Sequence, residues 1–201
     1  MRPGKLPELP AAVLILRDGP VSLAKLAHRF CARSGVMDVP GLTAVMYEPG
    51  TETSVTAVAA LLPHAGGYRP VLLLEAGVAV AADAGGGERV DAVTNWLLQH
   101  GLHLVADAGD QVQAAPGWVV HLSGGTGLRV SGPGGELYDG DLQADPAWQR
   151  AVTTQGRCLL LVGTGLGLDQ APHSLQETLD RVDAVARQGR LVGAVVTVEI
   201  R

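Results

Sequence analysis

The chain has 201 residues, of which 47 % are hydrophobic and 17 % are charged. This balance excludes an intrinsically disordered chain, and a chain of this length buries enough surface to fold without a disulfide or a metal. The net charge is −5, with 15 basic against 20 acidic residues, so the composition argues against a nucleic-acid-binding surface. The 27 glycines and 12 prolines predict many turns.

The apolar runs bear on where the protein works. The longest of them, residues 71–82, contains Glu75 and is too short to cross a bilayer, which takes about 20 residues. Prolines interrupt the amino-terminal apolar run, so we expect no signal peptide, no membrane partner and a cytoplasmic location. The two cysteines, Cys31 and Cys158, share no motif spacing and are predicted to be buried reduced thiols. The chain has more arginine than lysine, and it is rich in alanine, glycine and valine. This composition suggests a bacterial origin.

The first half of the chain begins with three prolines within residues 1–10, which predict a loose arm before a single domain over residues 11–201. A buried strand is predicted at 12–16. Ser22 is typical of a helix N-cap, and a helix ending at Gly35 is predicted from apolar residues at helical spacing. These residues are Leu23, Leu26, Ala27, Phe30 and Cys31.

Two hairpins are then predicted. Strands 42–48 and 54–62 flank a proline–glycine turn, and strands 70–74 and 78–82 are joined by a link short enough to favour antiparallel pairing. The second half of the chain alternates helices with strands. Helices are predicted at 88–100, from Pro146 to 155 and from Ser174 to Gly189. Strands are predicted at 102–106, 118–122, 128–131, 136–138, 158–162 and 191–200.

A possible internal repeat covers much of the chain after residue 70. Residues 70–109 and 118–165 each contain an apolar hairpin, a helix with one tryptophan, a glycine stop and a strand. We therefore expect a duplicated ββαβ-like unit, with chance similarity as the open alternative. A helix after each hairpin, rather than after each strand, predicts an α+β fold. In that fold three to four helices pack on a mostly antiparallel sheet.

The candidate general base is His121. Alternation along its strand places it opposite Val120 and Leu122, so that it is either exposed or lines a cavity. A neutral imidazole is the natural proton acceptor near pH 7. The candidate partner carboxylates are Glu75, in an apolar hairpin, and Asp139, in an acidic loop. The simpler interpretation of both is a solvated turn or loop.

Two glycine-rich segments are candidate ligand-binding loops. The first segment, which contains Gly124, Gly125 and Thr126, fits either a nest of backbone N–H groups that binds an anion or an ordinary turn. The second segment, which contains Gly163, Thr164 and Gly165, follows an apolar strand, as the glycine-rich loop of dinucleotide-binding proteins does. The next predicted helix begins only at Ser174, which is too far along the chain for that fingerprint. We therefore expect no cofactor. No histidine or cysteine spacing matches a zinc motif, so we expect no metal. The candidate ligand-binding residues are Gly124, Gly125, Thr126, Gly163, Thr164 and Gly165.

Three functional hypotheses follow. The leading one is a non-catalytic module that binds a protein partner or a second copy of itself, because no catalytic constellation is evident and apolar sheet edges invite pairing. The second is a small-molecule-binding protein whose glycine-rich loops rim the pocket. The third is a small enzyme in which His121 acts with Glu75 or Asp139, which requires these groups to converge in one cleft.

Overall fold

The fold is described by a computed structural model that covers residues 11–18, 21–28, 33–38, 55–64, 67–77, 82–83, 89–90, 92–107, 109, 111–170 and 174–201. The chain divides into two compact units. One comprises Met1–Val45 with Ala81–Val90, and the other comprises Met46–Val80 with Asp91–Arg201. The single domain over residues 11–201 and the repeat of 70–109 in 118–165 stay predictions, and the arm at 1–10 lies outside the described residues.

The regular structure of the described residues is mostly strand, with three helices. The helices are α1 (Ala92–Gln99), α2 (Pro146–Gln155) and α3 (Leu175–Arg187). The strands are β1 (Ala11–Asp18), β2 (Val21–His28), β3 (Gly35–Asp38), β4 (Val55–His64), β5 (Gly67–Ala76), β6 (Ala82–Asp83), β7 (Arg89–Val90), β8 (His103–Leu104), β9 (Ala114–Ser123), β10 (Gly127–Gly132), β11 (Gly135–Asp141), β12 (Arg157–Gly163) and β13 (Leu191–Ile200).

The smaller unit contains a three-stranded sheet in the order β2-β1-β3 and a short β6–β7 ribbon. β1 confirms the strand predicted at 12–16, but the helix predicted from Ser22 is wrong. Residues 21–28 form β2 instead, and each of them has a partner on β1. A short apolar run fits helical and extended periods alike, and here the run pairs along its whole length with the strand before it.

The larger unit is built on a curled mixed sheet in the order β11-β10-β9-β13-β12-β5-β4, with β8 also paired to β13. β12 runs parallel to β5, and β13 runs parallel to β9. The predicted α+β fold, with helices packed on a mostly antiparallel sheet, is therefore wrong. The predicted pairing of 70–74 with 78–82 is also wrong, because β4 and β12 occupy the two edges of β5.

Strands β5 and β12 are buried on both faces, as is usual for parallel strands. One face joins the core beneath α1 and α2, and the other joins the core beneath α3. Leu72 and Leu160 lie in the first core and Leu73 and Leu161 in the second. Trp148 docks α2 on the sheet, since its Nε1 donates a hydrogen bond of 2.9 Å to the carbonyl of Val71.

Several predicted elements of this unit are confirmed. The β9–β11 meander, β12 and β13 lie where the sequence places them, and strand 54–62 appears as β4. Asp145 caps α2 by accepting from the N–H of Ala147, and the helix ends at Gly156 with φ 62°. Ser174 caps α3 by accepting from the N–H of Glu177. Strand 42–48 lies outside the described residues. No helix in the described ranges has the length and hydropathy needed to cross a membrane.

We expect Gly193→Ala to destabilise the protein by about 1–3 kcal/mol. Gly193 is the third residue of β13, where a Cβ would stand 2.6 Å from the carbonyl oxygen of Leu160 in β12. Urea unfolding measures the loss. Gly124→Ala is the matched control, because a Cβ there meets nothing within 4 Å, and it should change stability by less than about 0.5 kcal/mol. Equal stability of the two variants contradicts the close strand approach at Gly193.

Candidate functional site

His121 lies at the centre of a polar face of the sheet. Its neighbour Val120 is fully buried in the core, so alternation along β9 turns the imidazole to the other side. The strand register places His121 opposite Arg129 of β10 on one side and opposite Glu199 of β13 on the other. The side chain is 24 % exposed, so it is partly enclosed rather than fully solvated.

The two ring nitrogens of His121 have different neighbours. Nδ1 is buried and lies 3.2 Å from Oε2 of Glu199, but no aligned hydrogen bond joins the two atoms. Nε2 lies 3.4 Å from the hydroxyl oxygen of Ser131. Ser131 sits where the β10–β11 register shifts, and such bulges re-aim side chains. The imidazole thus lies between a carboxylate and a hydroxyl.

Charged side chains extend this row across four strands. Arg129 bridges two acids of β11, with Nε 3.1 Å from Oε2 of Glu136 and Nη2 donating to Oδ2 of Asp139 at 2.8 Å. At the other end, Nη2 of Arg201 lies 3.8 Å from Oε2 of Glu199. These pairs are about half exposed, so each contributes little to stability. Their effect is to hold Arg129 in a defined orientation.

A cavity of about 390 Å³ opens over this row, which we call the His121 cavity. Its described lining residues are His121, Leu122, Ser123, Gly127, Leu128, Arg129, Ser131, Glu136, Asp139 and Arg201. A volume of this size is within the range of small-molecule sites. Cationic, anionic, hydroxyl and imidazole groups all face it, so it can both donate and accept hydrogen bonds.

The structure brings together some of the predicted catalytic residues and separates others. His121 and Asp139 line the same cavity, but Asp139 binds Arg129 and the carboxylate beside the imidazole is Glu199. Sequence reasoning missed Glu199 and Ser131. Alternation along the predicted strand 191–200 is a signal from which an outward-facing Glu199 could have been predicted, but nothing in the sequence shows that this strand lies beside β9.

Glu75 is placed elsewhere, at the carboxyl end of β5. Its two carboxylate oxygens accept from the N–H groups of Gly167 and Leu168, at 2.9 and 2.5 Å. Arg181 holds the same loop from α3 by donating to the carbonyls of Gly167 and Gln170. The loop amides that could have bound a phosphate are therefore occupied by a carboxylate of the protein itself.

The second predicted glycine-rich segment belongs to this pinned loop. Gly163 is buried at the end of β12, where a Cβ would meet the carbonyl oxygen of Arg190 at 3.2 Å. Thr164 is only 5 % exposed, and Gly165 is exposed with φ 79°. None of the three lines a cavity described here, so their proposed ligand-binding role stays a prediction without a pocket beside it.

The first glycine-rich segment does line a pocket. The turn between β9 and β10 borders a cavity of about 200 Å³, lined by Gly124, Gly125 and Thr126 and by apolar side chains that include Leu142 and Trp148. Thr126 is held in place, because its hydroxyl donates to Asp141 at 2.9 Å and its carbonyl accepts from the N–H of Leu142. This pocket adjoins the His121 cavity, with which it shares the lining residues Leu122, Ser123, Gly127 and Arg201.

Comparison with other proteins adds no assignment to this geometry. No family model matches the sequence, and neither a curated protein nor a solved structure matches it. Among the residues that the structure describes, no three His, Cys, Asp or Glu side chains are grouped so as to hold a metal ion. Any functional conclusion therefore depends on the arrangement of the side chains themselves.

We expect Glu75→Gln to destabilise the protein by about 1–3 kcal/mol. The two carboxylate oxygens of Glu75 accept one hydrogen bond each from the loop, whereas the glutamine amide has one acceptor oxygen and no charge. Urea unfolding gives the free-energy difference, and amide hydrogen exchange at Gly167 and Leu168 locates it. Glu136→Gln is the control, since its exposed pair with Arg129 should contribute less than about 1 kcal/mol. An equal effect of both substitutions contradicts the pinning of the loop.

Cys158 is a free, buried cysteine at the start of β12, as predicted. The prediction for Cys31 lies outside the described residues. Burial raises the pKa of the Cys158 thiol to about 12. Above about pH 9 the unfolded chain releases the thiol proton, whereas the folded protein keeps it. The contribution of the thiol to stability therefore falls as the pH rises from about 9 to 12.

In a Cys31→Ser background, the free energy of unfolding should fall more steeply between pH 9 and 11 with Cys158 present than in Cys158→Ala. The difference in slope should approach about 1.4 kcal/mol per pH unit, which corresponds to one proton. Denaturant unfolding at a series of pH values measures it. Parallel curves for the two proteins contradict the raised pKa.

Proposed function

We propose that the protein binds a small polar molecule in the His121 cavity. The observation that carries the proposal is the imidazole lying between Glu199 and Ser131 beside a polar cavity of about 390 Å³. The imidazole is partly enclosed, with a carboxylate near one ring nitrogen and a hydroxyl near the other. An imidazole nitrogen and a hydroxyl can each exchange hydrogen bonds with a molecule that enters the cavity.

The charges around the cavity indicate the class of ligand. Arg129 is oriented in advance by Glu136 and Asp139, so little side-chain entropy is lost when a ligand meets it. Arg201 is 75 % exposed and can turn toward a ligand. Groups of both signs face the cavity, which favours a molecule that carries both donors and acceptors. Amino acids and sugars are the simplest such molecules.

The order of serine, imidazole and carboxylate is also that of nucleophilic hydrolases. The Ser131–His121 distance of 3.4 Å exceeds the usual reach of a hydrogen bond between nucleophile and base. Binding is therefore the function that the geometry supports best, and turnover belongs among the measurements of its test.

The test is thermal unfolding of the protein with a panel of amino acids and monosaccharides. A panel member at about 100 times its Kd adds roughly 2.7 kcal/mol and raises Tm by several degrees. Arg129→Gln and His121→Asn should reduce that rise, measured against the ligand-free Tm of each variant. The exposed Arg150 of α2 lines none of the described cavities, so Arg150→Gln should keep it.

A panel that leaves the Tm of the wild-type protein unchanged contradicts binding of these two classes. A rise that Arg129→Gln and His121→Asn retain in full contradicts the His121 cavity as the site. Mass spectrometry of each panel member after incubation distinguishes binding from turnover.

The interaction-module hypothesis, with a protein partner or a second copy, stays a prediction. In the larger unit the exposed large hydrophobic side chains Tyr68, Leu175 and Ile200 lie on three different elements, so no observation there favours it over ligand binding. We also propose a cytoplasmic location, because a reduced buried thiol such as Cys158 suits a reducing compartment.

A further inference from the structure

The cavity of about 200 Å³ beside the β9–β10 turn differs in character from the His121 cavity that it adjoins. We call it the Trp148 pocket. Its walls come from the end of β9, the segment between β11 and α2, the helix α2 and the end of β13. The apolar side chains that line it are Leu122, Leu142, Ala144, Trp148 and Ile200.

Several polar groups of this pocket are already used within the protein. Trp148 is buried and its Nε1 donates to the carbonyl of Val71 at 2.9 Å, so the indole N–H is not available to a ligand. The hydroxyl of Thr126 donates to a carboxylate, and that of Thr153 donates to a carbonyl of its own helix. An apolar group that enters the pocket therefore leaves none of these three donors without a partner.

One wall of the pocket is an exposed apolar side chain. Ile200 is 54 % exposed, although alternation along β13 turns it to the same side as the buried Val198. An apolar group in the pocket would cover this isoleucine and gain the free energy of removing both surfaces from water. A dry cavity of roughly 150 Å³ holds a benzene molecule, so this pocket suits a branched aliphatic group or a single aromatic ring.

The two cavities meet at the end of the β9–β10 hairpin. Ser123 and Gly127 are partners in the strand register, and both line both cavities. A Cβ at Gly127 would collide with the hydroxyl of Ser123, so small residues form this junction. His121 and Leu122 point to opposite faces of β9, so the cavities meet around the strand ends. A molecule that occupies both needs a bend between its polar and apolar parts.

We propose that the ligand of the His121 cavity carries an apolar group that fills the Trp148 pocket. This inference rests on the proposed function, because it extends the same ligand into the adjoining pocket. The ligand then has a polar head, a tetrahedral or otherwise bent link, and a branched aliphatic or single-ring aromatic group. Amino acids with apolar side chains share this chemistry with glycosides that have a small apolar aglycone.

The test compares matched ligands by isothermal titration calorimetry on the wild-type protein. Leucine is paired with asparagine, whose side chain has a similar shape but is polar, and phenyl β-glucoside is paired with methyl β-glucoside. In the pair with the correct head, the apolar member should bind at least about tenfold more tightly, because only its side group gains from burial in the Trp148 pocket. The pair that shows this preference identifies the head.

A variant that fills the pocket tests the location of the apolar group. Ala144→Leu adds bulk at a partly exposed position without removing a polar group. It should weaken binding of the apolar member at least about tenfold and change that of its polar partner less than about twofold. Ala114→Leu is the matched control, because Ala114 is exposed and lines none of the described cavities, and it should change neither affinity by more than about twofold.

The outcomes separate this inference from the proposed function. Equal affinity within both pairs, or an Ala144→Leu variant that retains full affinity for the apolar member, overturns the inference and leaves binding in the His121 cavity standing. Binding of other amino acids or monosaccharides while all four compounds fail also overturns the inference alone. Leucine binding that Ala144→Leu abolishes but Arg129→Gln and His121→Asn retain in full contradicts both, since the ligand then does not reach the His121 cavity.

Discussion

Strand β13 is bonded to β12 along one edge, and to β8 and then β9 along the other. It is antiparallel to β12 and parallel to β9, which makes the sheet mixed. Its first half meets β12 so closely that Gly193 leaves no room for a side chain beside the carbonyl of Leu160. Among the residues that the structure describes, the meander β9–β11 and the strands β12, β5 and β4 are joined into one sheet through this strand.

The same strand links the core to the His121 cavity. Val196 and Val198 of β13 are buried, so the period of two turns Glu199 to the polar face. There the register with β9 brings its carboxylate beside Nδ1 of His121. A slip of one residue would expose the valines and remove the carboxylate together, so burial of the core holds the polar site in place.

The two ends of the parallel pair β5 and β12 differ in chemistry. Ligands of open α/β sheets usually bind at the carboxyl ends of strands. At that end here, Glu75 satisfies the amides of Gly167 and Leu168, and Arg181 holds the loop from α3. At the amino end, Arg69 and Arg157 line a cleft of about 400 Å³. A carboxylate of the protein thus takes the place that an anionic ligand takes in such sheets, and the arginines gather at the other end.

Local signals in the sequence determined much of the larger unit. Asp145 and Gly156 mark the two ends of α2, and Ser174 marks the start of α3. Apolar runs between turns predict β12 and β13. These signals can be recognised because caps, turns and alternation act within a few residues. They also single out His121 as facing away from the core. They failed at residues 21–28, where a short apolar run fits a helix but pairs with β1.

Only the tertiary structure decided which strands are neighbours, because pairing between distant segments leaves no local signature. The sequence places Glu75 near a turn and Asp139 in a loop, and nothing in it shows that one binds the loop at 167–168 and the other binds Arg129. Glu199 lies 78 positions from His121 along the chain and reaches it only because β13 packs beside β9. The composition of each site therefore follows from the strand order, which the local pattern of residues does not specify.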